Sequence, residues 1–114
     1  MDTIIDGGTH KVVYDPATRT VRLSGVMRLN GMAEYAPIAG LMSRSLTETE
    51  ALTVDVAGLE FLNSSGIAVL SKFVIEARNS GTALTIRGSK SIAWQGKSLA
   101  NLQRLMPTLI MDMQ

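Results

Sequence analysis

The chain has 114 residues, 46% hydrophobic and 18% charged, with a formal net charge of +1. That balance suits one compact globular domain spanning residues 1–114 and excludes a disordered or fibrous chain, while the near-neutral charge gives no case for nucleic-acid binding. Cysteine is absent and His10 is the lone histidine, which excludes disulfide frameworks, thiolate metal sites, cysteine nucleophiles and any scheme needing two imidazoles.

The N-terminus, Met1-Asp2-Thr3-Ile4-Ile5-Asp6-Gly7-Gly8, carries acids and no apolar run, so it is not a secretory signal. Residues 1–8 are expected to be a flexible terminus. No stretch approaches the roughly 18 apolar residues that span a bilayer. A soluble cytoplasmic protein without a membrane segment is expected.

Lys11 to Tyr14 is Val-rich and reads as a strand. Asp15-Pro16-Ala17-Thr18 is a turn, with Pro16 presetting its dihedral and Asp15 able to bond its own backbone. Thr20 to Ser24 alternates polar and apolar and returns as the second strand of a hairpin. Gly25 ends or bulges it. From Ala33 to about Leu46 the period becomes helical, with Tyr35, Ala39, Met42 and Leu46 on one stripe. Pro37 is expected in the first turn of that helix.

Ala51 to Val56 reads as a buried strand, and Ala57 to Asn63 as a loop whose Leu59, Phe61 and Leu62 point into apolar surroundings. Ser65 to Asn79 is a second helix, striped by Ile67, Leu70, Val74 and Ala77 with Phe73 beside them. Gly81 is its left-handed stop. Ala83 to Arg87 is a further strand. Ser91 to about Leu105 is a third helix striped by Leu99, Leu102 and Met106, and Pro107 ends it. Thr108 to Met111 is a last short strand. The order β-β-α-β-α-β-α-β implies an α/β domain with helices packed on a mixed sheet.

The informative stretch is Val54 to Ile67, a buried strand joined to a helix through small polar residues. Ser64 falls where the helix N-cap is expected, and Ser is a preferred cap. On residue chemistry alone, Ser64 and Ser65 are structural caps. The same position also offers free N–H groups and the positive end of the helix dipole. A phosphate there is tolerated by the helix while adding about −1.5 to −2 charges.

Asn63-Ser64-Ser65-Gly66 resembles the signature of STAS domains, the family of bacterial anti-sigma factor antagonists. In that family a buried strand and apolar loop lead to Asp-Ser-Ser-Gly or Asp-Thr-Ser-Gly and then a helix. The hairpin ending in Leu23-Ser24-Gly25, the spacing from that glycine to the motif and the element order agree with the family over nearly the whole chain. The resemblance implies a STAS-like fold and a module that catalyses nothing and uses no cofactor or metal. It implies partner switching: binding to a serine kinase or anti-sigma-type regulator when unphosphorylated, release on phosphorylation of Ser64, and restoration by a PP2C-type phosphatase. Asn63, Ser64, Ser65, Gly66 and Ile67 are the implied partner-binding residues. The chain carries Asn63 where the family has an acid, and Arg28 where the family often has another. The family's C-terminal helix is expected to be absent after the last strand. The alternative is a constitutive, unphosphorylated STAS subunit of a larger signalling or structural assembly.

Other features carry less. Gly88-Ser89-Lys90-Ser91 with Gly96-Lys97-Ser98 looks like a phosphate-binding loop, but the glycine required five residues before Gly96 is Ser91. His10 is expected to be exposed or half-buried, and Asp55 to be an alternating polar position or a loop anchor. Arg78, Arg87, Lys90, Lys97 and Arg104 occupy a stretch without acids, read as a solvated surface. Trp94 is the best partner anchor by residue type.

Overall fold

The computed structural model describes residues 3–114. Six strands form one sheet in chain order: β1 (Ile4–Asp6), β2 (His10–Asp15), β3 (Thr20–Met27), β4 (Ala51–Leu62), β5 (Ala83–Gly88) and β6 (Ile110–Met113). The helices are α1 (Gly31–Thr47), α2 (Ser64–Ser80) and α3 (Ala93–Leu105). β1, β2 and β3 pair antiparallel, and β3 to β6 pair parallel.

Each parallel step crosses through one helix. Because such crossovers are right-handed and all step in one direction, the three helices lie on one face of the sheet. α1 packs on α2 and α2 on α3. Between helices and sheet lies an aliphatic core built on Val21, Leu23, Val54, Val56, Leu84 and Ile86 from the strands and Met42, Leu70, Val74 and Leu99 from the helices.

The opposite face is polar. Strand register sets Arg22, Asp55, Arg87 and Asp112 in one row across β3 to β6. Asp55 lies 3.5 Å from the Arg22 guanidinium and 3.9 Å from that of Arg87, and Arg87 lies 3.3 Å from Asp112. Asp55 also accepts the Ala57 amide at 2.9 Å. It is the anchor of an irregular strand.

The expected hairpin is present, and Asp15 accepts the Ala17 amide at 3.0 Å in its turn. Several expectations are corrected. Within residues 1–8, Ile4–Asp6 form β1 on the sheet edge, held by a tight return in which the Gly7 amide donates to the His10 carbonyl at 2.9 Å. Met1 and Asp2 lie outside the described residues. The expected loop from Ala57 to Asn63 is largely a continuation of β4. Two register shifts against β3 interrupt the alternation there, and they place Leu59 and Leu62 inward, three residues apart. Gly25 neither ends nor bulges β3: the strand runs on to Met27, and the extra residues at both register shifts lie on β4. Its φ is +88°, and a Cβ there would strike the Thr9 carbonyl oxygen.

α1 begins at Gly31, so Pro37 lies in its second turn and forgoes a bond to the Ala33 carbonyl. His10 is buried, with its Nδ1 3.2 Å from the Thr9 hydroxyl. β6 runs two residues later than expected, and no helix follows it among the described residues.

Candidate functional site

The strand-to-helix junction is organised by Asn63. Its backbone is extended, at φ −78° and ψ 176°, and its side chain caps α2 by accepting the Gly66 amide at 3.0 Å. The cap is therefore Asn63, and the expected cap Ser64 is the first residue of the helix. The same Oδ1 accepts the Tyr35 hydroxyl of α1 at 2.7 Å. Nδ2 donates to the Leu29 carbonyl at 2.7 Å, and the Asn63 amide donates to the Met27 carbonyl at 3.2 Å. One side chain thus joins the end of β4, the start of α2, helix α1 and the β3–α1 connection. Burial pushes the Tyr35 hydroxyl above its ordinary pKa, against a smaller opposing pull from the Leu29 backbone. It stays a neutral donor to Asn63 at physiological pH.

Around this hub the motif residues divide in role. Ser64 is exposed, and its hydroxyl has no hydrogen-bond partner among the described residues. Ser65 is half-buried. Asn63 takes the Gly66 amide, so the Ser64 and Ser65 amides remain open at the helix start. Gly66 is buried: a Cβ there would collide with Leu62 Cδ1 and lie 2.7 Å from the Tyr35 hydroxyl. Ile67 is half-buried against the core. The junction therefore presents Ser64, and partly Ser65, on a frame made by Asn63, Gly66 and Ile67.

Two neighbours were not singled out as site residues from the sequence. Phe61 is 37% exposed, high for so large an apolar side chain, and the Arg28 guanidinium covers its ring at 4.7 Å from the centroid. Met32, in the first turn of α1, is 43% exposed. Strand register explains the first pairing, since Val26 lies opposite Phe61 and Met27 opposite Leu62. No local sequence signal reports such a cross-strand meeting.

Trp94 and Gln95 brace the other side of β4. The Trp94 indole donates to the Leu59 carbonyl at 3.0 Å, so this expected anchor is half-buried and tied inward. Gln95 is fully buried. It donates to the carbonyls of Val56 at 2.7 Å and Leu59 at 3.0 Å, and accepts the Ser89 amide at 2.7 Å. These carbonyls lie beyond Asp55, the last β4 residue paired with β5. The Gln95 amide reaches both where the ladder stops, and the Trp94 indole shares the Leu59 carbonyl with it.

Elsewhere little chemistry converges. No group of three or more His, Asp or Glu able to hold a metal occurs among the described residues. No helix of the described chain is long and apolar enough to cross a membrane. A cleft of about 620 Å³ lies between the C-terminal ends of α1 and α2, lined by Thr47, Glu48, Thr49, Glu50 and Ser80 among others. The 17 residues of α2, at about 1.5 Å each, set it roughly 25 Å from Ser64.

No curated protein matches the chain. Among solved structures it is similar to apo-SiaC from Pseudomonas aeruginosa, with TM-score 0.78 and 14% identity over 100% of this chain and 98% of that one. A second match, with TM-score 0.76 and 14% identity over 99% of this chain and 100% of the other, comes from the diguanylate cyclase SiaD in complex with its activator SiaC, again from Pseudomonas aeruginosa. At that identity the likeness speaks for the fold. The family model described as "Mlab, STAS domain" matches residues 10–107, from the start of β2 to just past α3. With that match over most of its length, the chain belongs to the STAS domain family.

Proposed function

We propose that this STAS domain is a non-enzymatic regulatory module that works by partner switching, with Ser64 as the switch. Unmodified, it binds a serine kinase or anti-sigma-type regulator in the cytoplasm. Phosphorylation of Ser64 ends that complex, and a PP2C-type phosphatase restores it. The observation that carries this reading is the Ser64 hydroxyl itself. It is exposed and unbonded, while the residues beside it supply the cap and the packing. A hydroxyl kept for the fold would be bonded or buried.

The physical effect of modification follows from its position. A phosphate on the first residue of α2 meets open amides and the positive end of the helix dipole, so the helix persists. A partner packed on this surface meets a new dianion, and desolvation and repulsion release it. The structural neighbour SiaC is described as the activator of a diguanylate cyclase. That supports a protein partner and admits signalling enzymes as a partner class.

The test is intact-mass spectrometry, with fragmentation, of the protein purified from its native host. A single phosphate on Ser64 supports the switch. Its absence across growth conditions and with phosphatase inhibitors present overturns it. That outcome favours the second reading, a constitutive STAS subunit of a larger assembly, which the neutral cap Asn63 and the cation Arg28 favour.

A further inference from the structure

We propose that Arg28 is the receptor, within this same chain, for a phosphate on Ser64, and that it leaves the ring of Phe61 to take it. The inference rests on the reading of Ser64 as a modification site and names how the modified state is held.

Three observations carry it. First, Asn63 grips the connection on both sides of Arg28, through its amide on the Met27 carbonyl at 3.2 Å and its Nδ2 on the Leu29 carbonyl at 2.7 Å. The backbone at Arg28 is therefore held beside the residue that immediately precedes Ser64, while its side chain is not tied by a hydrogen bond or ion pair among the described residues. Second, the Arg28 guanidinium has no carboxylate partner among the described residues; it rests over the Phe61 face, 4.7 Å from the ring centroid. Third, Ser64 projects an unbonded hydroxyl into solvent from the first turn of α2.

The charged groups near Arg28 do not compete strongly. Glu34 of α1 accepts the Asn30 amide at 3.0 Å, and Glu60 of β4 is exposed. An arginine over an exposed ring is weakly held, whereas arginine and phosphate make paired charge-assisted hydrogen bonds. A dianion on Ser64 therefore draws the guanidinium off Phe61. The move changes the surface twice: a cation is neutralised and an aromatic ring is uncovered. A partner that reads Arg28 and Ser64 is lost, and one that reads an open Phe61 gains its anchor.

The test uses the full chain with phosphoserine installed at position 64 by an expanded genetic code, so it does not depend on any host kinase. Phosphorus NMR follows the phosphate titration in the parent, Arg28→Gln and Arg28→Lys backgrounds. The expected result is a midpoint lower by about 0.5 pH unit or more in the parent than in Arg28→Gln, with Arg28→Lys between them, because a nearby cation favours the dianion. Proton NMR supplies the second readout. The Arg28 side-chain protons, shifted by the Phe61 ring in the unmodified protein, should lose that shift on phosphorylation. Equal midpoints in the parent and Arg28→Gln, or an unchanged ring shift, overturn the proposal. Absence of phosphate in the native host would overturn the switch and leave this result standing.

Discussion

Replacing Asn63 with alanine removes three side-chain interactions at once. The α2 cap is lost, which typically costs about 1 kcal/mol. The Tyr35 hydroxyl loses its 2.7 Å acceptor and is left with the Met27 carbonyl at 3.4 Å. The Leu29 carbonyl loses its donor. Each of these two bonds contributes roughly 1 kcal/mol net, and more where the stranded group stays out of water. The expected destabilisation is about 3 kcal/mol, a large share of the 5–15 kcal/mol that typically holds a domain folded. At roughly 4 °C per kcal/mol for a domain of this size, the melting temperature should drop by about 12 °C.

Urea unfolding measures the change as a shift in midpoint at constant m value. A double-mutant cycle with Tyr35→Phe isolates the inter-helix bond and should return a coupling of at least about 0.5 kcal/mol. Asn63→Asp should fall between parent and alanine. It keeps the acceptor for Gly66 and Tyr35 and adds a charge that suits the helix start, but it turns an oxygen toward the Leu29 carbonyl. An alanine variant within 0.5 kcal/mol of the parent, or additive effects of the two single changes, would refute the account of Asn63 as a hub.

Ser64→Ala should leave stability within about 0.5 kcal/mol of the parent by the same urea assay, because its hydroxyl has no partner to lose. Gly66→Ala should cost about 1–3 kcal/mol, since the new methyl is driven into Leu62 and crowds the Tyr35 hydroxyl. Gln95→Leu leaves the Val56 carbonyl without its side-chain donor and the Ser89 amide without its acceptor, while the Leu59 carbonyl keeps the Trp94 indole; it should lower the melting temperature by about 8 °C or more, at a cost near 2 kcal/mol. Stability should also fall at alkaline pH. Burial raises the pKa of Tyr14, with the charge and hydrogen bond of Glu48 adding to it, and burial raises that of Tyr35, both from 10.0. The unfolded chain therefore ionises first. The contribution is complete below about pH 10 and is lost as the pH rises through the folded values. Thermal melts from pH 8 upward should show that loss, and Tyr14→Phe should make it smaller.

The main elements were legible because their periods are clean. Val21 and Leu23 alternate, and Leu70, Val74 and Ala77 recur at helical spacing, and all are buried. The parts that escaped lack such a period. β1 is three residues long, too short for alternation to show. The far half of β4 carries two bulges, and each resets which face the next side chain meets. Its backbone is extended while its pattern reads as a loop. At the site, the motif drew attention to Ser64, but the division of labour within it depended on contacts far away in sequence. Asn63 became the cap because Tyr35 and Leu29 reach it from α1 and the β3–α1 connection. Gln95 looked like an ordinary polar helix residue, and only the fold shows two strand carbonyls waiting for its amide.

That division of labour bears directly on how a switch here can work. Asn63 and Gly66 are committed to the junction, one by hydrogen bonding and the other by lack of space. Ser64 is committed to nothing within the described chain. A modification of its hydroxyl therefore breaks no native contact, and the open amides beside it favour an added anion. The fold itself resists being unfolded by the signal. On the proposed reading, what changes is the surface: one group on a rigid frame, near the Arg28 guanidinium and the Phe61 ring it covers. A module built this way does not transmit its state through a conformational change in the core. Under the proposed switch it would alter the charge and apolarity of a single small face, and the partner that fits the new face would be selected by direct contact.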